Sequence, residues 1–227
     1  MPLTMSSLSR KLFVAFAVLV VAGAGYAQTQ PAPLTAAQRS ELERWWATQS
    51  QVAMPFTNDG AKVLVVKFND YQCPPCRQTY HAYEPILAKF KPSEVKYLMK
   101  HFPLDPSCNA AVTSLVHPVA CDAAAAAVMA RPKGSLDKLT AWFFAHQEEL
   151  TAATVRTAAK DVGGVSDFAA AYPRAIQEVK TDASLGGVLQ VQWTPTFFIN
   201  GRRIPRGVSL SPQLFEALLE LELQRAK

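Results

Sequence analysis

Two cysteines separated by two residues, Cys73-Pro74-Pro75-Cys76, constrain this chain more than any other feature, because they follow a run that reads as a buried strand. Lys62-Val63-Leu64-Val65-Val66-Lys67-Phe68 is β-rich and almost continuously apolar, the pattern of a central strand covered on both faces. After the cysteines, Tyr80, Tyr83, Leu87 and Phe90 recur at helical spacing, with Pro85 expected to kink the helix. The cysteine pair therefore sits at a strand-to-helix junction. Val95-Lys96-Tyr97-Leu98-Met99 reads as a second strand, and the order strand, helix, strand argues for a parallel pair joined by a crossover.

At a helix start the first cysteine, at or near the N-cap, faces unpaired backbone N–H groups and the positive end of the helix dipole. Both favour a thiolate, which is the attacking species in thiol–disulfide exchange. Cys73 is thus the expected nucleophile, and Cys76, one turn deeper, the resolving thiol of a redox disulfide. A structural disulfide or half a zinc site are the alternatives. Zinc needs about four ligands and no second Cys-x-x-Cys exists, so His81 and His101 would have to complete the set; no metal and no cofactor are expected.

The compartment is consistent with that chemistry. Arg10 and Lys11 precede an apolar run from Leu12 to Ala22, and Gly25-Tyr26-Ala27 supplies small residues around a cleavage site, so residues 1–27 read as a secretory signal cut after about Ala27. Extended to Ala27, the apolar stretch is still shorter than the roughly 20 residues that span a bilayer, although retention as an anchor is the alternative. Losing Arg10 and Lys11 lowers the formal charge from +5 to +3, which removes the main electrostatic argument for a nucleic-acid partner. Export, to the periplasm or beyond, implies an oxidising environment. Cys108 and Cys121, thirteen positions apart, then most simply form a structural disulfide; the alternative is a second redox pair that exchanges electrons with Cys73–Cys76.

With 227 residues, 49% of them hydrophobic, the chain suffices for one α/β domain with a small appendage and excludes collagen-like, coiled-coil and disordered readings. Residues 28–57 form an N-terminal extension, in which Thr35-Ala36-Ala37-Gln38 makes a capping box for an amphipathic helix over roughly 36–50. Its Leu42, Trp45 and Trp46 must be buried, on the main domain or in a homodimer contact. Residues 58–227 form the main domain. From about Pro106 to Leu185 it turns alanine-rich and helical, with breaks at Gly134, Gly163 and Gly164. Strand character returns at Thr196-Phe197-Phe198-Ile199, turns at Asn200-Gly201 and continues to Ile204. Ser211 and Pro212 open a last helix with Phe215, Leu218 and Leu219 on its buried face.

Trp193-Thr194-Pro195-Thr196, just before the third strand, is a turn of no specificity by itself. Beside a Cys-x-x-Cys at the end of an earlier strand, it resembles the cis-proline loop of thioredoxin-fold oxidoreductases. The run Phe68-Asn69-Asp70-Tyr71-Gln72-Cys73-Pro74-Pro75-Cys76-Arg77, the later Phe102-Pro103-Leu104, the helical insertion and Thr194-Pro195 together resemble the secreted DsbA-like thiol–disulfide oxidoreductases, from about residue 58 onward. The resemblance implies a thioredoxin fold with a large helical insertion, attack by Cys73, resolution by Cys76, a cis Pro195 and Thr194 flanking the dithiol. Two positions depart from it. Pro75 stands where strongly oxidising members carry histidine, which implies a milder oxidant, and Lys67 stands where the family usually buries an acid. If Lys67 points at the site, its charge stabilises the thiolate. His101 is a further candidate for tuning the site, and Trp193 and Thr196 for lining a substrate groove; Phe197 reads primarily as core.

The leading expectation is an exported enzyme that introduces disulfides into cysteine-containing secreted proteins and is recycled by a membrane redox partner. A reductase or isomerase of the same compartment, dimeric through the Trp45–Trp46 helix in the isomerase case, is the runner-up. A metal-binding or holdase module is the alternative outside catalysis.

Overall fold

The apolar run becomes β1 (Val63–Asn69), every residue of which is buried. The structure is a computed structural model that describes residues 33–207 and 210–226; the segment read as a signal peptide lies outside the described residues. β1 pairs in parallel with β2 (Val95–His101), Val63 opposite Val95 and Asn69 opposite His101. On its other side it pairs antiparallel with β3 (Thr196–Ile199), which turns into β4 (Arg202–Arg203), so the sheet order is β2-β1-β3-β4. The crossover between the parallel strands is α2 (Pro74–Leu87), with Pro85 in its last turn. At the hairpin, Asn200 and Gly201 have φ of 47° and 81°, the left-handed pair that matches strand twist. Gly201 is also a matter of space, since a Cβ there would collide with the Val52 carbonyl.

Alternation along β1 sorts its side chains onto two faces. Val63 and Val65 pack with Tyr83 and Ile86 of α2 and with Phe215 and Leu218 of α7 (Pro212–Arg225). Leu64, Val66 and Phe68 pack on the opposite face with Phe102, Ala183 and Phe198. Lys67 shares the parity of Val63 and Val65, so it rises beneath α2.

Between β2 and β3 lie α3 (Ala120–Ala130), α4 (Leu136–Ala145), α5 (Ala152–Asp161) and α6 (Phe168–Val188). The helical block expected from Pro106 begins only at Ala120. Residues 102–119 are irregular because Pro106 and Pro118 lack an N–H, while the Asn109 side chain donates to the Pro103 carbonyl and Asp105 accepts from the Ser107 N–H. Cys108 and Cys121, both buried, are joined as a disulfide that ties this irregular segment to the start of α3. In α3 every residue except Asp122 is buried, and its alanines let neighbouring helices approach from all sides.

The N-terminal helix, α1 (Ala36–Ala47), carries the expected Thr35–Gln38 capping box but stops short of residue 50, where the Thr48 hydroxyl and N–H both turn back to the Trp45 carbonyl. Trp46 packs on the chain's own domain, while Trp45 is half-buried. Trp46 is fully buried in the cluster shared with α7, its Nε1 donating to Glu222 Oε1 at 2.8 Å. Trp46→Ala should therefore lower stability by about 3–5 kcal/mol in urea unfolding, by the cost of emptying a large aromatic site; a loss under about 1 kcal/mol would mean that α1 docks only loosely.

Candidate active site

Cys73 is the N-cap of α2, with extended backbone, and Pro74 and Pro75 occupy the first helical positions. Neither proline has an N–H, so the first free amide of the helix is that of Cys76, which donates to the Cys73 carbonyl at 2.9 Å. Both cysteines are free thiols here: Cys73 is 4% exposed, Cys76 not at all. This burial order matches attack by the outer sulfur and resolution by the inner one. The Thr194–Pro195 peptide is cis, and the Cys73 thiol donates to the Thr194 carbonyl at 3.1 Å across the site. The Thr194 hydroxyl is buried without a partner, a donor free to turn to the sulfur once it ionises.

Charge separates the two sulfurs. The Cys73 thiol is held down at about 7, first by the hydrogen bond from Cys76, against the cost of burial, and with help from Thr194 and the Cys76 amide. Cys76 is pushed well up, first by burial and then by the same hydrogen bond, which it donates. A low-pKa outer sulfur and a high-pKa inner one make Cys73 the better nucleophile and the better leaving group.

Lys67 does point at the site. Its Nζ donates to the Cys76 carbonyl at 3.1 Å and lies 5.4 Å and 5.8 Å from the ring centroids of Phe144 and Phe197. Burial lowers its pKa, opposed by Cys76, Glu84 and Cys73. The group beneath the dithiol is thus a buried lysine, and in its charged form it favours the Cys76 thiolate.

Two expected site residues are placed elsewhere. His101 is buried at the end of β2 against the Tyr71 ring, its Nδ1 unpartnered, and burial pushes its pKa down to about 4. The charges that act on it most strongly are Asp182, Arg131, Glu178 and Lys100. Thr196 faces inward, fully buried, its hydroxyl donating to the Trp193 carbonyl; it braces the proline loop instead of lining a groove. Trp193 does line one, a cavity of about 700 Å³ beside Pro195 that is bounded also by Pro75, Tyr83, Phe197 and Leu210. Phe197 serves both as core and as cavity wall.

Sequence reasoning missed three residues. Gln147, from the short 3₁₀ turn after α4, donates its Nε2 to the carbonyls of Tyr71 and Cys73, at 2.7 Å and 3.0 Å. Asp70 accepts the Gln72 N–H, and its own N–H reaches Cys76 Sγ at 3.5 Å. His117 pairs with Asp70. No local pattern marks Gln147 or His117, which arrive from distant segments; Asp70 lay inside the quoted motif.

Because its folded pKa lies below that of the unfolded thiol, ionised Cys73 stabilises the reduced protein above about pH 9, and this stabilisation is lost as pH falls through about 7. Thiolate absorbance and alkylation rate should show one cysteine titrating near pH 7, absent in Cys73→Ser. In Cys76→Ala the midpoint should rise by about one unit, since the largest stabilising hydrogen bond is gone; an unmoved midpoint would assign the acidity to the helix end instead.

Residues 50–220 match the family model described as thioredoxin. The chain is 28% identical over 148 residues to a Na(+)/H(+) antiporter NhaA 1 of Mycobacterium sp. (strain KMS), a match that covers 63% of this chain and 22% of that protein. It thus spans about a fifth of the length of the curated relatives it matches. Among solved structures, oxidised BdbD from Bacillus subtilis superposes with a TM-score of 0.59 at 20% identity, covering 78% of this chain and 97% of that one. The DsbA disulfide interchange protein from Klebsiella pneumoniae gives 0.54 at 16% identity, with 77% and 94% covered. With its α2 dithiol, its helical insertion and a family match over more than half its length, this chain belongs to the thioredoxin family.

Proposed function

We propose that the chain is an exported thiol–disulfide oxidoreductase that introduces disulfides into cysteine-containing secreted proteins. The observation that carries thiol–disulfide exchange is the placement of Cys73 at the helix N-cap, with its acidic thiol against the Thr194 carbonyl, and of Cys76 buried behind it. In the oxidised enzyme a substrate thiolate attacks Cys73 Sγ, the Cys73–Cys76 bond breaks, and Cys76 departs as a thiolate, which the charged form of Lys67 favours. A second substrate thiolate then attacks the substrate sulfur of the mixed disulfide. The substrate leaves with its disulfide formed, and Cys73 leaves as a thiolate, the form its surroundings favour. The two electrons stay on the enzyme dithiol, and a membrane redox partner removes them.

The cavity beside Pro195 is where an extended substrate segment would lie, against Trp193 and Phe197. A reductase or isomerase is the second reading, favoured by one observation: with prolines at both intervening positions, only the Cys76 amide offers backbone help to the Cys73 sulfur.

Equilibration of the purified protein with glutathione, with mass spectrometry to identify the responding pair, separates the two. A potential above about −200 mV carried by Cys73–Cys76 is expected, and one near about −270 mV would replace the oxidase reading with the reductase one. Lys67→Met should slow single-turnover oxidation of a dithiol peptide several-fold, because Cys76 becomes a poorer leaving group, while the Cys73 titration moves less. An unchanged rate would make the buried lysine irrelevant to exchange.

A further inference from the structure

We propose that His117 is a positioning residue for the reaction: by pairing with the buried Asp70 carboxylate, it cancels a negative charge behind the β1–α2 turn that would otherwise suppress the Cys73 thiolate. This rests on Cys73 being the exchanging thiol, and it adds a group that lies 44 positions away along the chain.

Asp70 follows β1 directly, and its side chain is completely inaccessible. Oδ1 accepts the Gln72 N–H at 2.7 Å; Oδ2 accepts the Leu104 N–H at 2.7 Å and meets His117 Nδ1 at 2.8 Å. A buried carboxylate needs such partners, and three of them fix its place. Its charge disfavours ionisation of Cys73. Amide hydrogen bonds satisfy the oxygens but leave that charge in place. Protonated, the His117 ring on Oδ2 neutralises it.

The segment that carries His117 is held at several points. The N–H groups of Val116 and His117 both donate to the Leu104 carbonyl, and the Val119 N–H donates to Gln72 Oε1, one residue before Cys73. The Cys108–Cys121 disulfide closes the loop around it. The charged groups that bear on the imidazole are Asp70, by hydrogen bond and charge, and Cys73; together they raise its pKa against the opposing effect of partial burial. Coupling between two sites is reciprocal. If a Cys73 anion strengthens proton binding at His117, the protonated ring strengthens ionisation at Cys73 to the same degree. As pH rises through the His117 titration the ring loses its charge, and the Asp70 carboxylate is left uncompensated.

The test is His117→Gln in the full chain, with thiolate absorbance followed across the titration and the glutathione equilibrium measured alongside. The expected result is a Cys73 midpoint higher by about one unit and a several-fold shift of the equilibrium toward the disulfide form, both recovered in His117→Lys, which restores a cation. A midpoint and equilibrium unchanged in a folded His117→Gln, or a shift that His117→Lys fails to recover, would overturn the proposal. Should His117→Gln not fold, the His117 ring resonance decides: it should titrate higher in the reduced wild type than in Cys73→Ser, and equal titrations would overturn the coupling. Wild-type protein that exchanges no disulfide with thiol substrates would refute the proposed function instead, without moving these titrations.

Discussion

The chemistry of this protein hangs on a short turn, residues 70–73, being held still between β1 and α2. Groups from outside it do the holding. Gln147 donates to two of its carbonyls, Thr140 meets the buried Tyr71 hydroxyl, and Leu104 and His117 close on the Asp70 carboxylate. Gln147 and Thr140 come from the helical insertion, and Leu104 and His117 from the irregular segment that the Cys108–Cys121 disulfide ties to it. The insertion is therefore a scaffold for the dithiol as well as bulk added to a small sheet. A sulfur whose acidity depends on hydrogen-bond geometry needs such support, because a loose turn would average the effect away.

Lys67 shows how burial can be turned to use. A lysine taken out of water is costly to charge, and here its charged form is supported by one carbonyl, two aromatic rings and the negative charge that appears on the sulfurs during exchange. Its position is a consequence of strand alternation: two residues on from Val65, it must share the face covered by α2. An acid at that place would oppose the Cys76 thiolate, whereas a cation favours it. This fits a departure of Cys76 that is easier than its burial alone would allow.

Much of this architecture was legible in the residues. The unbroken apolar run gave the central strand, Asn200-Gly201 the hairpin, Ser211-Pro212 the last helix start, and Cys73-Pro74-Pro75-Cys76 the junction. Each is a local pattern with a local cause. The misreadings share a different origin. His101 stands near the cysteines in strand register, but which way an end-of-strand side chain faces, and what screens it, depends on helices packed later in the chain. Thr196 alternates inward for the same reason that Phe197 reaches the cavity. The start of the insertion was placed too early because composition averages over Pro106 and Pro118, whose effects are confined to single residues.

The sequence by itself pointed to thiol chemistry at Cys73 and Cys76, since two thiols at a helix start admit few other uses, and it marked the parallel β1–β2 pair and the β3–β4 hairpin by hydrophobic pattern and turn residues. Only the tertiary structure decided how acidic Cys73 is, whether Lys67 faces the dithiol, and that Gln147 and His117 belong to the site. The physical reason is range. Periodicity and capping act over a few residues along the chain, whereas hydrogen bonds and charges act over a few ångströms in space, and between Asp70 and His117 those two measures of distance have nothing in common.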